Sequence, residues 1–265
     1  MLKKRVITTL WGIPLLIAAI WFDRPLPWFT IIVAVWGLLA VYEFYKLVHS
    51  SKVPPLTYFG LIWTLLFILS PHLNHDLVIS IILSSAVVLS LFWLLRYPKK
   101  EGAFIGWAWT MAGILYIGWL LSYFVALRGL NNGREWVFLA MFATFGSDTT
   151  AFFIGRAFGK HHLAPRISPG KTWEGAVAGI FGSIIVSLIL VNLFSLPLGY
   201  GLTILLGLLI STFAQLGDLV ESLLKRNMGV KDSGTLLPGH GGFLDRIDSI
   251  VFTGIVVYYF VIFLA

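Results

Sequence analysis

Acidic side chains interrupt this chain where its neighbours are almost wholly apolar. The run Gln215-Leu-Gly-Asp218-Leu-Val-Glu221-Ser222-Leu-Leu-Lys225-Arg226 closes one apolar stretch. On a helix its Gln215, Asp218, Glu221 or Ser222, and Lys225 share a face at spacings of three and four. Alone, that stripe reads as a solvated extension with Glu221 and Lys225 as an ordinary ion pair. Asp245 and Asp248 stand at the entry to the last apolar stretch, where only 16 residues run from Ile250 to Ala265. That is about 24 Å of helix, short enough to draw both acids to the membrane interface, and their i,i+3 spacing predicts a common helical face. Asp148, eight residues before Arg156, lies about 12 Å inside its own stretch. An ionised carboxylate at that depth is costly without a companion, which makes it a functional candidate.

Oxygen ligands from separate helices suit a hard cation such as Mg²⁺ better than zinc, and whether one cation acts or a second joins it is left open by the sequence. Magnesium held by one or two carboxylates usually completes its coordination with phosphate oxygens. The competing arrangement is a set of buried salt bridges from Asp245 or Asp248 to Lys225, Arg226 or Arg246.

The loop from Gly155-Arg156-Ala-Phe-Gly159-Lys160-His161-His162 to Ser168-Pro-Gly170-Lys171-Thr172-Trp-Glu174-Gly175 partly resembles a phosphate loop. A Walker A reading fails, because Pro165 stands where the first glycine is required and no strand is expected before it. Backbone amides and the Lys171 ammonium can still meet phosphate at a helix start, with Thr172 as N-cap. Adjacent histidines point apart, so His161 and His162 suit a surface or phosphate-contact role better than a metal site. Gly239 to Gly242 can form a turn that offers amides to an anion, with His240 donating as well, or serve as a hinge. Gly175, Gly179 and Gly182, and Gly102 with Gly106, form small-residue stripes for close helix packing, which permit a homodimer without requiring one. Glu43, near Lys46, reads as a local ion pair or snorkelling arrangement.

The elements that must position these groups follow from composition. Of 265 residues, 58% are hydrophobic and 12% charged, against about 45–50% and 25% in soluble domains. Mean hydropathy is +0.89. A water-soluble globule, a disordered chain, collagen and a coiled coil are excluded. Without cysteine there is no disulfide framework, thiolate metal site or cysteine nucleophile. The net charge of +7 does not indicate nucleic acid, because the basic residues sit between apolar stretches and so report membrane orientation.

Nine such stretches, near 6–22, 28–46, 57–70, 77–95, 103–127, 136–155, 176–196, 201–217 and 248–265, predict an all-α polytopic membrane protein of about nine transmembrane helices. The third is short enough to be re-entrant. Lys3-Lys4-Arg5 before Val6 to Phe22 has a signal-peptide look but no cleavage site, which predicts a retained span. With the N-terminus cytosolic, sixteen Lys and Arg lie inside and only Arg24, Arg128 and Arg134 outside. The C-terminus is then outside, and the long charged loops 156–175 and 218–247 face the cytosol. Residues 1–135 are expected to be mainly structural helices and 136–265 the catalytic region of one integrated domain. No internal repeat supports an inverted-repeat transporter.

The run Ser222-x2-Lys225-Arg226-x4-Lys231-Asp232-Ser-Gly-x2-Leu237-Pro238-Gly-His240-Gly-Gly-Phe-Leu-Asp245-Arg246-Ile-Asp248 resembles the C-terminal signature of the CDP-diacylglycerol synthase, or phosphatidate cytidylyltransferase, family. Gly146-Ser-Asp148-Thr, Gly155-Arg156-x2-Gly159-Lys160, the Ser168 to Gly175 segment and Gln215 to Ser222 are similar to the family's upstream pieces. The resemblance covers about 140–250, and Gly170 stands where the family usually has a second lysine. It implies transfer of a cytidylyl group from CTP to phosphatidate, giving CDP-diacylglycerol and pyrophosphate at the cytosolic face of the inner membrane. On that basis Asp218, Asp245 and Asp248 are expected to hold metal, with Asp148 and Glu221 as further ligands or their supports. Lys171, Lys225, Arg226, Lys231 and Arg246 would neutralise phosphate charge, and Ser168, Ser222 and His240 would donate hydrogen bonds. A cation-coupled transporter is the alternative from another class. A CDP-alcohol phosphatidyltransferase is the other enzyme weighed, but its Asp-x2-Asp-Gly motif is missing.

Overall fold

The computed structural model describes residues 14–22, 27–50, 54–73, 77–96, 102–234 and 241–265. Lys3, Lys4, Arg5, the first part of the first expected span, and Gly239 with His240 lie outside them. In lipid every backbone amide and carbonyl must find a partner within the protein, and an apolar segment does that most simply as a helix. Each of the nine apolar stretches accordingly contains one. Among the described residues, five helices are long and apolar enough to cross a membrane: Trp28–Ser50, Ala103–Arg128, Gly133–Phe158, Trp173–Leu193 and Tyr200–Asn227. The protein is an all-α membrane protein, and among the described residues one β-hairpin is the exception.

The chain builds two compact units, one from 1–126 with 228–245 and the other from 127–227 with 246–265. The first holds a helix over 14–21 (α1), α2 (Trp28–Ser50), α3 (Thr57–Leu69), α4 (Val78–Leu94) and α5 (Ala103–Gly113). A π-helical turn, Ile114–Trp119, joins α5 to α6 (Leu120–Arg128). The third stretch is a continuous helix of 13 residues, about 20 Å long, ending in a 3-10 turn at Ser70–His72.

Tyr45 is the anchor of this unit. Fully buried, it occupies space opened by Gly60 and Gly113, either of whose added Cβ would collide with its ring. Its hydroxyl donates to the Thr110 carbonyl at 2.8 Å, while Thr110 Oγ1 accepts from the Leu56 amide, also at 2.8 Å, just before α3. Trp107 Nε1 donates to Ser90 Oγ at 2.8 Å, linking α5 to α4. Close packing and polar stitches hold helices together where lipid gives no hydrophobic drive between them. Removing the Tyr45 ring should therefore cost about 3–5 kcal/mol. Thermal melts in detergent are expected to show Tyr45→Ala well below native and Tyr45→Phe only slightly so.

The second unit comprises α7 (Gly133–Phe158), the hairpin β1 (His162–Ala164) and β2 (Ser168–Thr172), α8 (Trp173–Leu193), α9 (Tyr200–Asn227) and α10 (Asp248–Leu264). Its outward residues are large and apolar, among them Phe152, Phe153, Phe181, Ile185 and Ile189, as a lipid-facing surface requires. Small residues line the interior. Gly175, Gly179 and Gly182 are buried against α7, where a Cβ would press on Ala151 O, Ser147 and Thr150. Gly106 likewise packs on the Pro54 backbone, but Gly102 does not belong to a packing stripe. It has open space around it and caps α5 with φ +74°, so conformation rather than contact calls for glycine there.

Candidate active site

Helix α9 runs unbroken through the acidic segment to Asn227, so the spacing of three and four does place Asp218, Ser222 and Lys225 along one face. Asp218 Oδ2 pairs with Lys171 Nζ at 2.8 Å, and Asp218 Oδ1 accepts from Ser222 Oγ at 3.3 Å. One turn further, the buried Glu221 carboxylate pairs with Lys225. Gly217 explains how another acid reaches this group. It lies so close to α10 that an added Cβ would stand 2.5 Å from the Asp248 carbonyl oxygen. Asp248, in the first turn of α10, accepts at Oδ1 from the Ser249 amide at 2.7 Å.

Asp148, on α7, is near enough for its charge to interact with Asp218 and Lys171. Asp248 in turn feels Asp218, Asp148 and Lys225. Four carboxylates thus meet two lysines within one unit. With Glu221 paired with Lys225 and Asp218 with Lys171, Asp148 and Asp248 have no salt-bridge partner among the described residues, and a divalent cation would supply the positive charge that favours their ionised forms. That charge and the all-oxygen donor chemistry fit magnesium, although among the described residues no three acids or histidines are already gathered as a ligand set.

Polar bonds fix the surrounding scaffold. Gln215 Nε2 donates to Ala176 O at 3.1 Å and Ser211 Oγ at 2.9 Å, and Ser211 meets Ser147 at 2.7 Å. These tie α9 to α8 and α7. The hairpin corrects the expected loop: a short strand, β1, does precede Pro165, but it pairs antiparallel with β2 rather than entering a parallel sheet. The Walker reading still fails. Thr172 is the N-cap, accepting from the Gly175 amide at 3.2 Å. Ser168 opens β2, Lys171 reaches from its end to α9, and Arg226 Nε donates back to Ile167 O at 3.1 Å. His161 Nδ1 lies 2.6 Å from Glu174 Oε1 and His162 is exposed, so the two do not form a metal pair. Gly170 is exposed with nothing near its would-be Cβ, so no steric demand explains glycine at that position.

Asp245 departs from its expected geometry. It lies in the 3-10 turn Leu244–Arg246, before α10 begins at Asp248, so the two acids do not share a helical face. Its Oδ2 accepts from Ser233 N and Oγ, both at 3.1 Å, and from Gly242 N at 2.9 Å. The Gly242 amide is thereby committed to a carboxylate of the chain rather than offered to an anion. Lys231 and Arg246 are exposed, and His240 is outside the described residues.

Glu43 is a second residue whose setting differs from the expected one. Buried in α2 rather than paired with Lys46, its Oε2 accepts from Phe243 N at 2.5 Å and Leu244 N at 2.9 Å, and lies 3.3 Å from Ser233 Oγ, whose single proton serves either Glu43 or Asp245. The signal available was its sign and setting, since a lone acid inside an apolar helix needs partners from somewhere.

Comparison with known proteins shows the family. The model of the cytidylyltransferase family matches residues 3–264. A phosphatidate cytidylyltransferase of Staphylococcus haemolyticus is 38% identical over 220 residues, covering 81% of this chain and 84% of the relative. Its counterpart in Bacillus subtilis is 35% identical over 228 residues, covering 84% and 85%. Phosphatidate cytidylyltransferase 5, chloroplastic, of Arabidopsis thaliana is 38% identical over 267 residues, covering 88% of this chain and 65% of the relative. With the match running over nearly its whole length, through both units and the acidic helix α9, the chain belongs to the cytidylyltransferase family.

Proposed function

We propose that this protein transfers the cytidylyl group of CTP to phosphatidate, forming CDP-diacylglycerol and pyrophosphate. The observation that carries the reading is the set of four carboxylates and two lysines on α7, α9, α10 and the end of β2, on a chain of this family. A lipid phosphate is already ionised, so its oxygen needs no general base. It attacks the α-phosphorus of CTP in line, a new P–O bond forms, and the bond to the bridging oxygen breaks as pyrophosphate leaves. Such a transfer is helped mainly by positioning and electrostatics.

Asp148, Asp218 and Asp248 would hold magnesium, which supplies charge neutralisation at the transferred phosphoryl group. Lys171 and Lys225 stand beside those acids and, with Arg226, would meet phosphate oxygens. Glu221 holds Lys225 in place, and Ser222 orients Asp218. Ser168, Lys231, His240 and Arg246 are assigned to substrate contacts, and Asp245 to shaping the segment around Ser233 and Gly242. The sixteen-to-three distribution of basic residues supports nine spans, a cytosolic N-terminus and catalysis at the cytosolic face of the inner membrane.

Purified protein in detergent–phosphatidate micelles with CTP and Mg²⁺ is expected to release CDP-diacylglycerol and pyrophosphate in equal amounts, and to stop when chelator is in excess. Movement of ions by reconstituted protein without CTP, and no lipid product, would contradict the proposal.

A further inference from the structure

Two hydrogen-bonding carboxylates in the first unit converge on one hydroxyl, and neither is assigned a contact with substrate or metal in the reaction proposed above. Ser233 Oγ lies 3.3 Å from Glu43 Oε2 and 3.1 Å from Asp245 Oδ2. Around it the amides of Ser233 and Gly242 donate to Asp245, and those of Phe243 and Leu244 to Glu43. Ser233, Phe243 and Leu244, on either side of 235–240, therefore meet one buried acid of α2 that lies 190 to 201 positions upstream, and Gly242 joins them through Asp245. Space confirms how closely they are joined. A Cβ on Gly242 would collide with Ser233 Oγ and stand 2.7 Å from Glu43 Oε2. Trp36, two turns earlier on α2, adds a ring contact to Phe243 at 6.0 Å between centroids.

A buried carboxylate is costly unless donors surround it, and buried amides are costly unless an acceptor does. Glu43 Oε2 and the amides of Phe243 and Leu244 satisfy each other, so removing the carboxylate leaves those two amides without their acceptor. We propose that Glu43 is a positioning residue for cytidylyl transfer: with Asp245 it holds the segments flanking 235–240 in the arrangement that turnover requires. This rests on the reaction proposed above. Glu43 acts through the backbone it binds and is not assigned any contact with substrate.

The test combines turnover with segment-resolved hydrogen exchange on the full-length protein in detergent, following the peptide that carries the Phe243 and Leu244 amides. Glu43→Ala is expected to speed exchange there by about tenfold or more, to leave exchange in α9 unchanged, and to lower kcat by about tenfold or more. Gly242→Ala should reproduce both effects by steric displacement. Glu43→Gln keeps an oxygen acceptor and should fall between native and alanine in both readouts, which keeps the test decisive where Glu43→Ala fails to fold. Native exchange in Glu43→Gln and Gly242→Ala, or faster exchange with native kcat, would overturn the proposal. Absence of turnover in the unaltered protein would sink the cytidylyl-transfer reading instead, and the exchange comparison would still decide whether Glu43 holds this backbone.

Discussion

Asp218→Asn is expected to lower kcat/KM for CTP by about 10²–10³-fold, the scale of losing one charge-stabilising group in a preorganised site. The substitution keeps size and one oxygen but removes the charge that pairs with Lys171 at 2.8 Å and interacts with Asp148 and Asp248. Two consequences follow together. Lys171 loses the carboxylate that holds it at the end of β2, and the acid group loses one of its negative charges. Magnesium dependence separates them. If Asp218 helps to hold the cation, the Mg²⁺ concentration for half-maximal rate rises in the variant; if it only holds Lys171, that concentration stays put while KM for CTP rises. Native rates and native Mg²⁺ dependence would remove Asp218 from the site. Because Asp218 and Lys171 are both partly open to solvent, the effect on folding stability should be small, and the melting temperature should hardly move.

Gly217→Ala is the other change with a large expected effect, and it touches no charge. The added methyl would lie 2.5 Å from the Asp248 carbonyl oxygen and 2.8 Å from Phe252 Cδ2. A carbonyl at the start of a helix cannot swing aside like a side-chain tip, so α9 and α10 must separate. A displacement of about 1 Å in catalytic geometry can cost about 10²-fold in rate, and overpacking typically costs about 1–3 kcal/mol of stability. Gly207, whose Cβ would meet the Ile184 backbone at 2.7 Å, provides the comparison. It lies where α9 crosses α8, away from the acids, so Gly207→Ala should lower the melting temperature with a smaller loss of kcat. Equal kcat losses in the two variants would mean that Gly217 matters only for stability.

Local spacing carried much of this architecture. The period of α9, the N-cap at Thr172 and the stripe Gly175, Gly179, Gly182 are readable because the partners that decide them are the helix itself or its next turn. Asp245 was misread for a related reason: a common face with Asp248 assumes a helix through both, while the chain enters α10 only at Asp248, after a 3-10 turn. The hairpin was missed because β1 and β2 have three and five residues, too few to show alternation amid Pro, Gly and basic residues. Glu43 lay beyond reach for a different reason. Its donors are 190 to 201 residues away, and no periodicity within α2 reveals them. Lys171 was assigned to phosphate from its own loop, but its pairing with Asp218 depends on a hairpin and a helix 47 positions apart in number and adjacent in space.

The fate of the phosphorus atoms tests the central claim most directly. Purified protein with phosphatidate micelles and Mg²⁺ would be given CTP labelled at the α-phosphorus in one reaction and at the γ-phosphorus in another. Cytidylyl transfer predicts that α-label enters the lipid phase in proportion to protein and time, that γ-label appears only in pyrophosphate, and that both stop with excess chelator. Entry of γ-label into lipid would mean phosphoryl rather than cytidylyl transfer, and release of free CMP or CDP with no lipid label would mean hydrolysis. Either result would contradict the account.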